Sequence, residues 1–146
     1  MKTTTLEISQ KLAECLNKHG LEVPESYFTG YIDLDDNFGI TDDLGSVWCD
    51  IKQSFPVYTL CELLEVLPMD INNFKYVLRL FKTDRFKGFP QHEYCYNVSY
   101  RHADDGTIAL EVPLIIGTNP ADAAAQLLIW CIENGYLTCI GETQSR

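Results

Sequence analysis

The residues best equipped for chemistry fall in three places. His92-x-x-Cys95 is the one close pairing of a histidine with a cysteine, and such a pair can serve as a base with its nucleophile or as half of a zinc site. In an alternating strand over 92–101, however, the two side chains fall on opposite faces. No Cys-x-x-Cys completes a tetrahedral set, and Cys131 and Cys139 stand too far apart to form a ligand knuckle. Gly-x-Ser-x-Gly, a phosphate loop, a dinucleotide fingerprint and His-Glu-x-x-His are all missing from the sequence. The sequence therefore assigns no catalytic residue, no metal and no cofactor.

The second place is Asp33-Leu-Asp35-Asp36-Asn37-Phe38-Gly39, which opens like a calcium loop. An EF-hand needs glycine at position six and a bidentate glutamate at position twelve. Here glycine comes one residue late and position twelve is Leu44. Asp42 and Asp43 would have to supply oxygens to an irregular site, so the expectation is a solvated acidic turn.

The third place is a set of cations. Lys75, Arg79, Lys82, Arg85, Lys87 and Arg101 fall in or beside two strand-like segments of a chain that is acidic as a whole. Alternation puts Lys75, Arg79, Asn97, Ser99 and Arg101, with Val77 and Phe81 among them, on the face turned away from the apolar side. Such a face suits an anionic group, or a nucleotide base stacked on Phe81. The plainer expectation is that these cations neutralise the acidic segment 21–51 folded over the sheet, or simply face water.

The elements that must position these residues follow from hydrophobic period and caps. Thr4-x-x-Glu7 reads as a capping box opening a helix over 5–19, with Ile8, Leu12, Cys15, Leu16 and His19 at helical spacing before Gly20. Segment 21–51 shows no sustained period and reads as an acidic, irregular connection, with short strands around 27–34 and 46–51. Thr59-x-x-Glu62 opens a second helix over 59–67, which Pro68 ends. Period two then marks strands over 74–82 and 92–101, and Ala103-Asp-Asp-Gly106 turns into a third over 107–112. In the first, Phe74, Tyr76, Leu78 and Leu80 are expected on the core side; Pro113 should end the pairing and leave Leu114 to Ile116 as a buried connection. Tyr94, Tyr96 and Tyr100 read as a packed strand face rather than a ligand cage. Asn119 caps a last helix over 120–133 with Pro120 at its first position and Asn134-Gly135 as its stop, and its apolar residues run nearly all round. The fold class is thus α+β: one two-layer domain with a three-stranded antiparallel meander and helices on one face.

Length and composition agree with one globular domain of 146 residues, 46% hydrophobic and 22% charged. Eleven Lys and Arg against 21 Asp and Glu give a net charge of -10, which argues against direct binding of nucleic acid or of an anionic membrane. The longest apolar run, Ala123 to Ile132, is too short for a span, and the N-terminus lacks the pattern of a secretion signal, so a cytoplasmic location is expected. Six cysteines then read as reduced, mostly buried thiols, and Asn97-Val98-Ser99 as a chance sequon.

Thr59-x-x-Glu-Leu-Leu-x-x-Leu-Pro68, the Tyr-rich strands, Asn119-Pro-Ala-Asp122, Leu128-Ile-Trp130 and Glu133-Asn-Gly-Tyr-Leu137 together resemble a group of small proteins encoded in phage-derived and mobile elements of gut bacteria. The resemblance covers residues 59–137 and implies a fold and a genomic setting, without a catalytic residue to carry over.

These readings converge on a non-catalytic binding protein. Its contact residues would be Tyr31, Asp33, Asp35, Asp36, Phe38, Asp42 and Asp43 of the acidic segment, which holds eight acids and no Lys or Arg, and its partner a protein such as a basic host factor. The alternative is a small anionic ligand, or an enzyme of unrecognised type, using Lys75, Arg79, Phe81, Asn97 and Arg101. A monomer is favoured over a homodimer built through Leu127, Trp130 and Ile132, because segments 21–51 and 137–146 can wrap the last helix within one chain.

Overall fold

The computed structural model describes residues 2–83, 95–109 and 111–137. Helix α1 (Leu6–Lys18) leads into a sheet of β1 (Phe28–Asp33), β2 (Phe38–Thr41) and β3 (Ile51–Val57), ordered β2-β1-β3. Helix α2 (Leu60–Val66) leads into a second sheet of β4 (Asp70–Ile71), β5 (Tyr76–Thr83), β6 (Cys95–His102) and β7 (Ile115–Gly117), which follow one another in space as in sequence. Helix α3 (Pro120–Glu133) closes the chain. All pairings are antiparallel, so the fold is α+β. None of its helices is long and apolar enough to cross a membrane, among the described residues.

Helix α3 carries the core. Ala121, Ala123, Ala124, Ala125, Leu127, Leu128, Cys131 and Ile132 are buried at once, more than one stripe of a helix can bury against a single neighbour. They are covered because β6 and β7 lie on one side and α1 and α2 on others. Four buried alanines let these neighbours approach closely. Leu127 and Ile132, the residues of the less favoured dimer, are thereby spent inside the chain, while Trp130 stacks on Tyr136 at 5.3 Å.

Helix α1 buries Ile8, Leu12, Cys15 and Leu16 against α3, a single amphipathic stripe. Its start differs from the capping box read at Thr4. The N-cap is Thr5, whose side chain makes no cap bond. Thr4 is buried instead: its hydroxyl pairs with Ser9 Oγ at 2.7 Å and accepts from Tyr58 N at 3.1 Å. Thr5 N donates to Asp122 Oδ1 at 2.7 Å, so the first turn of α3 anchors the first turn of α1. Tertiary partners outbid the local motif. In α2 the box does form, with Glu62 Oε1 accepting from Thr59 N at 2.8 Å and Thr59 Oγ1 accepting from Glu62 N.

Three further expectations are corrected. Segment 21–51 is more regular than expected: β1 falls on the short strand expected around 27–34, β2 is added to it, a 3-10 turn forms at Leu44–Ser46, and the strand expected around 46–51 starts only at Ile51 as β3. Strand β5 begins at Tyr76 rather than at 74, because Asn72, Asn73 and Phe74 all take the left-handed conformation that turns β4 into β5. Phe74 is consequently exposed; Leu80, within β5, is exposed as well, and of that row Tyr76 is fully buried. The strand over 107–112 shrinks to one bridge, Arg101 to Ile108. A turn closed by Val112 N on Ala109 O sends Ala109 and Val112 into the core, and pairing resumes after Pro113 as β7. The parts of the expected strand 92–101 before Cys95, together with Leu110, lie outside the described residues.

Thr4→Val keeps the shape of the side chain and removes its hydroxyl, leaving the Tyr58 N–H and Ser9 hydroxyl buried without a partner. It is expected to cost about 1–3 kcal/mol in urea unfolding, against less than about 0.5 kcal/mol for Thr5→Val. Equal costs would return the cap to Thr5.

Candidate functional site

Two surfaces bring together most of the residues singled out from the sequence. The first is the outward face of the larger sheet. Register places Val77 opposite Arg101, Arg79 opposite Ser99 and Phe81 opposite Asn97, so six side chains form three successive rows on one face. The Arg101 guanidinium lies 4.5 Å from the Phe81 ring centroid. Since Phe81 is paired with Asn97, the two side chains meet over the Arg79–Ser99 row between them. Arg101 Nη1 also donates to Gly106 O at 3.4 Å, while Arg79 is exposed and donates to its neighbour's carbonyl, Leu78 O, at 3.2 Å. Asp70 on β4 extends the Val77–Arg101 row.

The polar atoms of this face are unusually poorly paired. Asn97 Oδ1, Ser99 Oγ and Arg101 Nε are all shut off from solvent without a hydrogen-bond partner. Ser99 is only 3% exposed although it points away from the core. An orphaned buried polar atom costs about 1–3 kcal/mol, and folded proteins hold few of them. Here three occur on alternate residues of one strand. Among the described residues the acidic segment builds its own sheet, its Asp36 pairs with Lys52, and no ion pair joins it to Lys75, Arg79 or Arg101; Arg85 and Lys87 lie outside the described residues.

Lys75 does not join this set. It stands in the turn before β5, with Nζ 5.2 Å from the Tyr76 ring centroid. Tyr76 Oη donates to Glu111 Oε1. The hydrogen bond to Glu111 holds the Tyr76 hydroxyl in its protonated form, and contact with Tyr76 and the Glu111 charge raises Lys75. This trio favours a neutral phenol beside a charged amine, which is the wrong poise for a tyrosine base. Glu111 was missed because the sequence placed it in a strand; the turn at 109–112 delivers it.

The second surface is the smaller sheet. The β1–β2 hairpin turns through Asp33-Leu34-Asp35-Asp36-Asn37, where Asp33 Oδ1 accepts from Asp35 N at 2.9 Å and from Asn37 N at 2.8 Å. These bonds hold the Asp33 carboxyl below its usual range. Asp36 takes a left-handed conformation at φ 63° and pairs with Lys52 at 2.9 Å. Asp43 Oδ1 accepts from Gly45 N and caps the 3-10 turn. Three of the five aspartates thus shape the loops that display Asp35 and Asp42. No group of three or more His, Cys, Asp or Glu gathers into a metal-holding cluster among the described residues.

Aromatic packing orders the same hairpin. The Tyr31 ring lies over Gly39, directly opposite on β2, where a Cβ would meet the ring at 2.3 Å. Phe38 stacks parallel on Phe55 at 6.0 Å. Leu34, Phe38 and Ile40 remain exposed, and Trp48 is fully so. Leu34, Ile40 and Trp48 escaped the sequence reading because an aperiodic acidic stretch gives no inside or outside to assign. Ser99 was recognisable as the residue between Asn97 and Arg101 on one face.

The remaining candidates are either interior or outside the described residues. Tyr100 Oη is buried, donates to Pro68 O at 2.6 Å and accepts from Cys131 Sγ at 3.8 Å. Burial pushes the Cys131 thiol up to about 12 and raises Cys15 as well, so neither offers a thiolate near neutral pH. His92, Tyr94, Arg85, Lys87 and Cys139 lie outside the described residues, as does the side chain of Cys95.

Alkylation of the native protein at pH 8 is expected to modify the exposed Cys49 and Cys61 and to spare Cys15 and Cys131 until unfolding, as peptide mass spectrometry would read. A Cys131 modified as fast as Cys49 would overturn its burial. The stabilisation that Asp33 gives the hairpin is complete above about pH 4 and is lost as pH falls through its lowered folded value. The stability gap between wild type and Asp33→Ala should therefore hold from neutral pH down to about pH 4 and close only below it. Against known proteins, the chain matches no family model, no curated protein and no solved structure.

Proposed function

We propose that the chain is a non-catalytic binding protein of phage or mobile-element origin, whose smaller sheet docks on a basic protein partner. The observation that carries this reading is the exposure of Leu34, Phe38, Ile40 and Trp48 within a segment of eight acids and no Lys or Arg. Apolar anchors ringed by charge of one sign supply both parts of a protein interface. The anchors give affinity on desolvation, and the charges steer a partner of opposite sign. The origin rests on the resemblance over residues 59–137.

Strand β2 supports the same reading. Among the described residues it is an edge of its sheet, with β1 on its other side. The bond from Asp33 N to Asn37 O sets the phase of the hairpin, so the main-chain groups of Phe38 and Ile40 point away from β1. An extended segment of a partner can pair with them while their side chains, 38% and 42% exposed, pack on it. The opposite edge, β3, carries Pro56, which cannot donate to a ladder. The non-catalytic part of the proposal draws on the interior thiols and phenols, whose burial favours their unreactive protonated forms.

Trp48→Ala and the pair Asp35→Lys with Asp42→Lys alter only exposed groups, so melting temperature should stay unchanged. A partner captured from host lysate by the wild type is expected to bind more tightly at about 20 mM than at about 150 mM salt, as charge steering weakens with screening. Each variant should weaken the purified partner's binding by about tenfold or more, equivalent to about 1.4 kcal/mol. A wild type that retains nothing at either salt, or variants that bind equally well, would overturn the proposal.

A further inference from the structure

The three orphaned atoms on the outward face of the larger sheet have a common geometry. Asn97 Oδ1, Ser99 Oγ and Arg101 Nε sit on alternate residues of β6, so they line one side of a strip with Phe81 and Arg79 facing them from β5. Ser99 is more than nine-tenths buried with an unpartnered hydroxyl. The Arg101 side chain lies across this strip toward Phe81, held by a ring contact at 4.5 Å and a long bond to Gly106 O at 3.4 Å. Both holds are weak. Lifting the guanidinium off the ring frees the face of Phe81, with the Ser99 hydroxyl in the row between the two side chains.

We infer that this strip binds a purine nucleoside monophosphate carrying an exocyclic amino group, with its base on Phe81 and its phosphate between Ser99 and Arg101. The groups present select that chemistry. Arg101 Nε and the Ser99 hydroxyl donate, and Arg79 adds a second positive charge beside them, so the ligand must offer an anion there. Asn97 Oδ1 accepts, so the ligand must also offer an N–H, which inorganic phosphate or a carboxylate lacks. Asn97 is paired with Phe81, whose ring can stack a planar base in place of the guanidinium. Two residues along a strand span about 6.8 Å, a separation that a ribose bridges between base and phosphate. The arrangement is one of recognition alone, with no bond made or broken.

Calorimetric titration of the whole protein tests the inference with adenosine 5′-monophosphate as the probe. Wild type is expected to bind it at one site, and to bind adenosine, ribose 5-phosphate, inorganic phosphate and purine riboside 5′-monophosphate, whose base carries no N–H, at least tenfold more weakly. Ser99→Ala should lose about tenfold or more in affinity while the free protein unfolds at an unchanged or higher temperature, because an orphaned hydroxyl has been removed. Arg79→Ala, at an exposed position, should weaken the monophosphate and leave adenosine unchanged. Binding by wild type weaker than about 1 mM overturns the site. So does a Ser99→Ala protein that titrates like wild type. Phosphate or ribose 5-phosphate binding as tightly as the nucleotide overturns the role of Phe81, and purine riboside 5′-monophosphate doing so overturns that of Asn97.

Discussion

Burial of most of the circumference of α3 is the constraint around which the rest of the chain is arranged. A helix with eight buried residues in fourteen cannot rest on one sheet alone, and the stripe of Asp122, Gln126, Ile129, Trp130 and Glu133 reaches solvent. The larger sheet supplies β6 and β7 as a floor, and α1 and α2 supply the flanks. The buried alanines decide how close those flanks come, since a methyl group keeps neighbouring backbones nearer than a leucine would. Each large side chain trapped there, such as Leu127, Leu128, Leu12 and Leu63, contributes on the order of 1.5–3 kcal/mol. The polar ends are handled at the rim. Asn119 caps α3, and Asp122 accepts from Thr5 N, so the helix that fills the core also fixes where α1 begins.

The smaller sheet is attached by different means. Phe55 and Val57 are buried within it, but they stand apart from the large apolar cluster around α3. Hydrogen bonds at its margin join it to the rest: Thr4 receives Tyr58 N, Tyr58 Oη donates to Pro24 O, and Glu62 of the α2 capping box accepts from Tyr27 N. A unit tied to the rest by hydrogen bonds at its margin and by β3 lying against α1 opens locally at less cost than one sunk in the core. It is also where the exposed anchors and the acids are found. Adaptability and display thus coincide on the same hairpin.

The two sheets therefore handle polar atoms in opposite ways. In the smaller sheet the carboxylates of Asp33, Asp36 and Asp43 are all engaged, so the acidic loops are shaped by their own charges. On the larger sheet Asn97, Ser99 and Arg101 present side-chain atoms that are desolvated and unanswered. Satisfied loops favour a surface for another protein; an unsatisfied strip favours a ligand small enough to enter it. The acidic net charge does not conflict with an anion on the larger sheet, because register gathers Arg79 and Arg101 onto adjoining rows.

What the sequence determined by itself is local. Thr59 and Glu62 form their capping box, and Asn119 with Pro120 starts α3, because each cap is completed within four residues. Alternation along 95–102 sorted Asn97, Ser99 and Arg101 from Val98 and Tyr100, because a strand's period of two fixes the faces wherever the pairing holds. What only the tertiary structure decided depends on partners distant in sequence. Thr4 left its capping role because Tyr58 and Ser9 need its hydroxyl more, and Ile108 failed to extend a strand because Ala109 and Val112 are drawn into the core. Segment 21–51 hid a sheet because β1 lies between two strands, with β3 drawn from beyond the acidic stretch, so that a glycine beneath an aromatic ring replaces any apolar period. The meeting of Arg101 with Phe81, twenty residues apart, is likewise a matter of register, which no local pattern encodes.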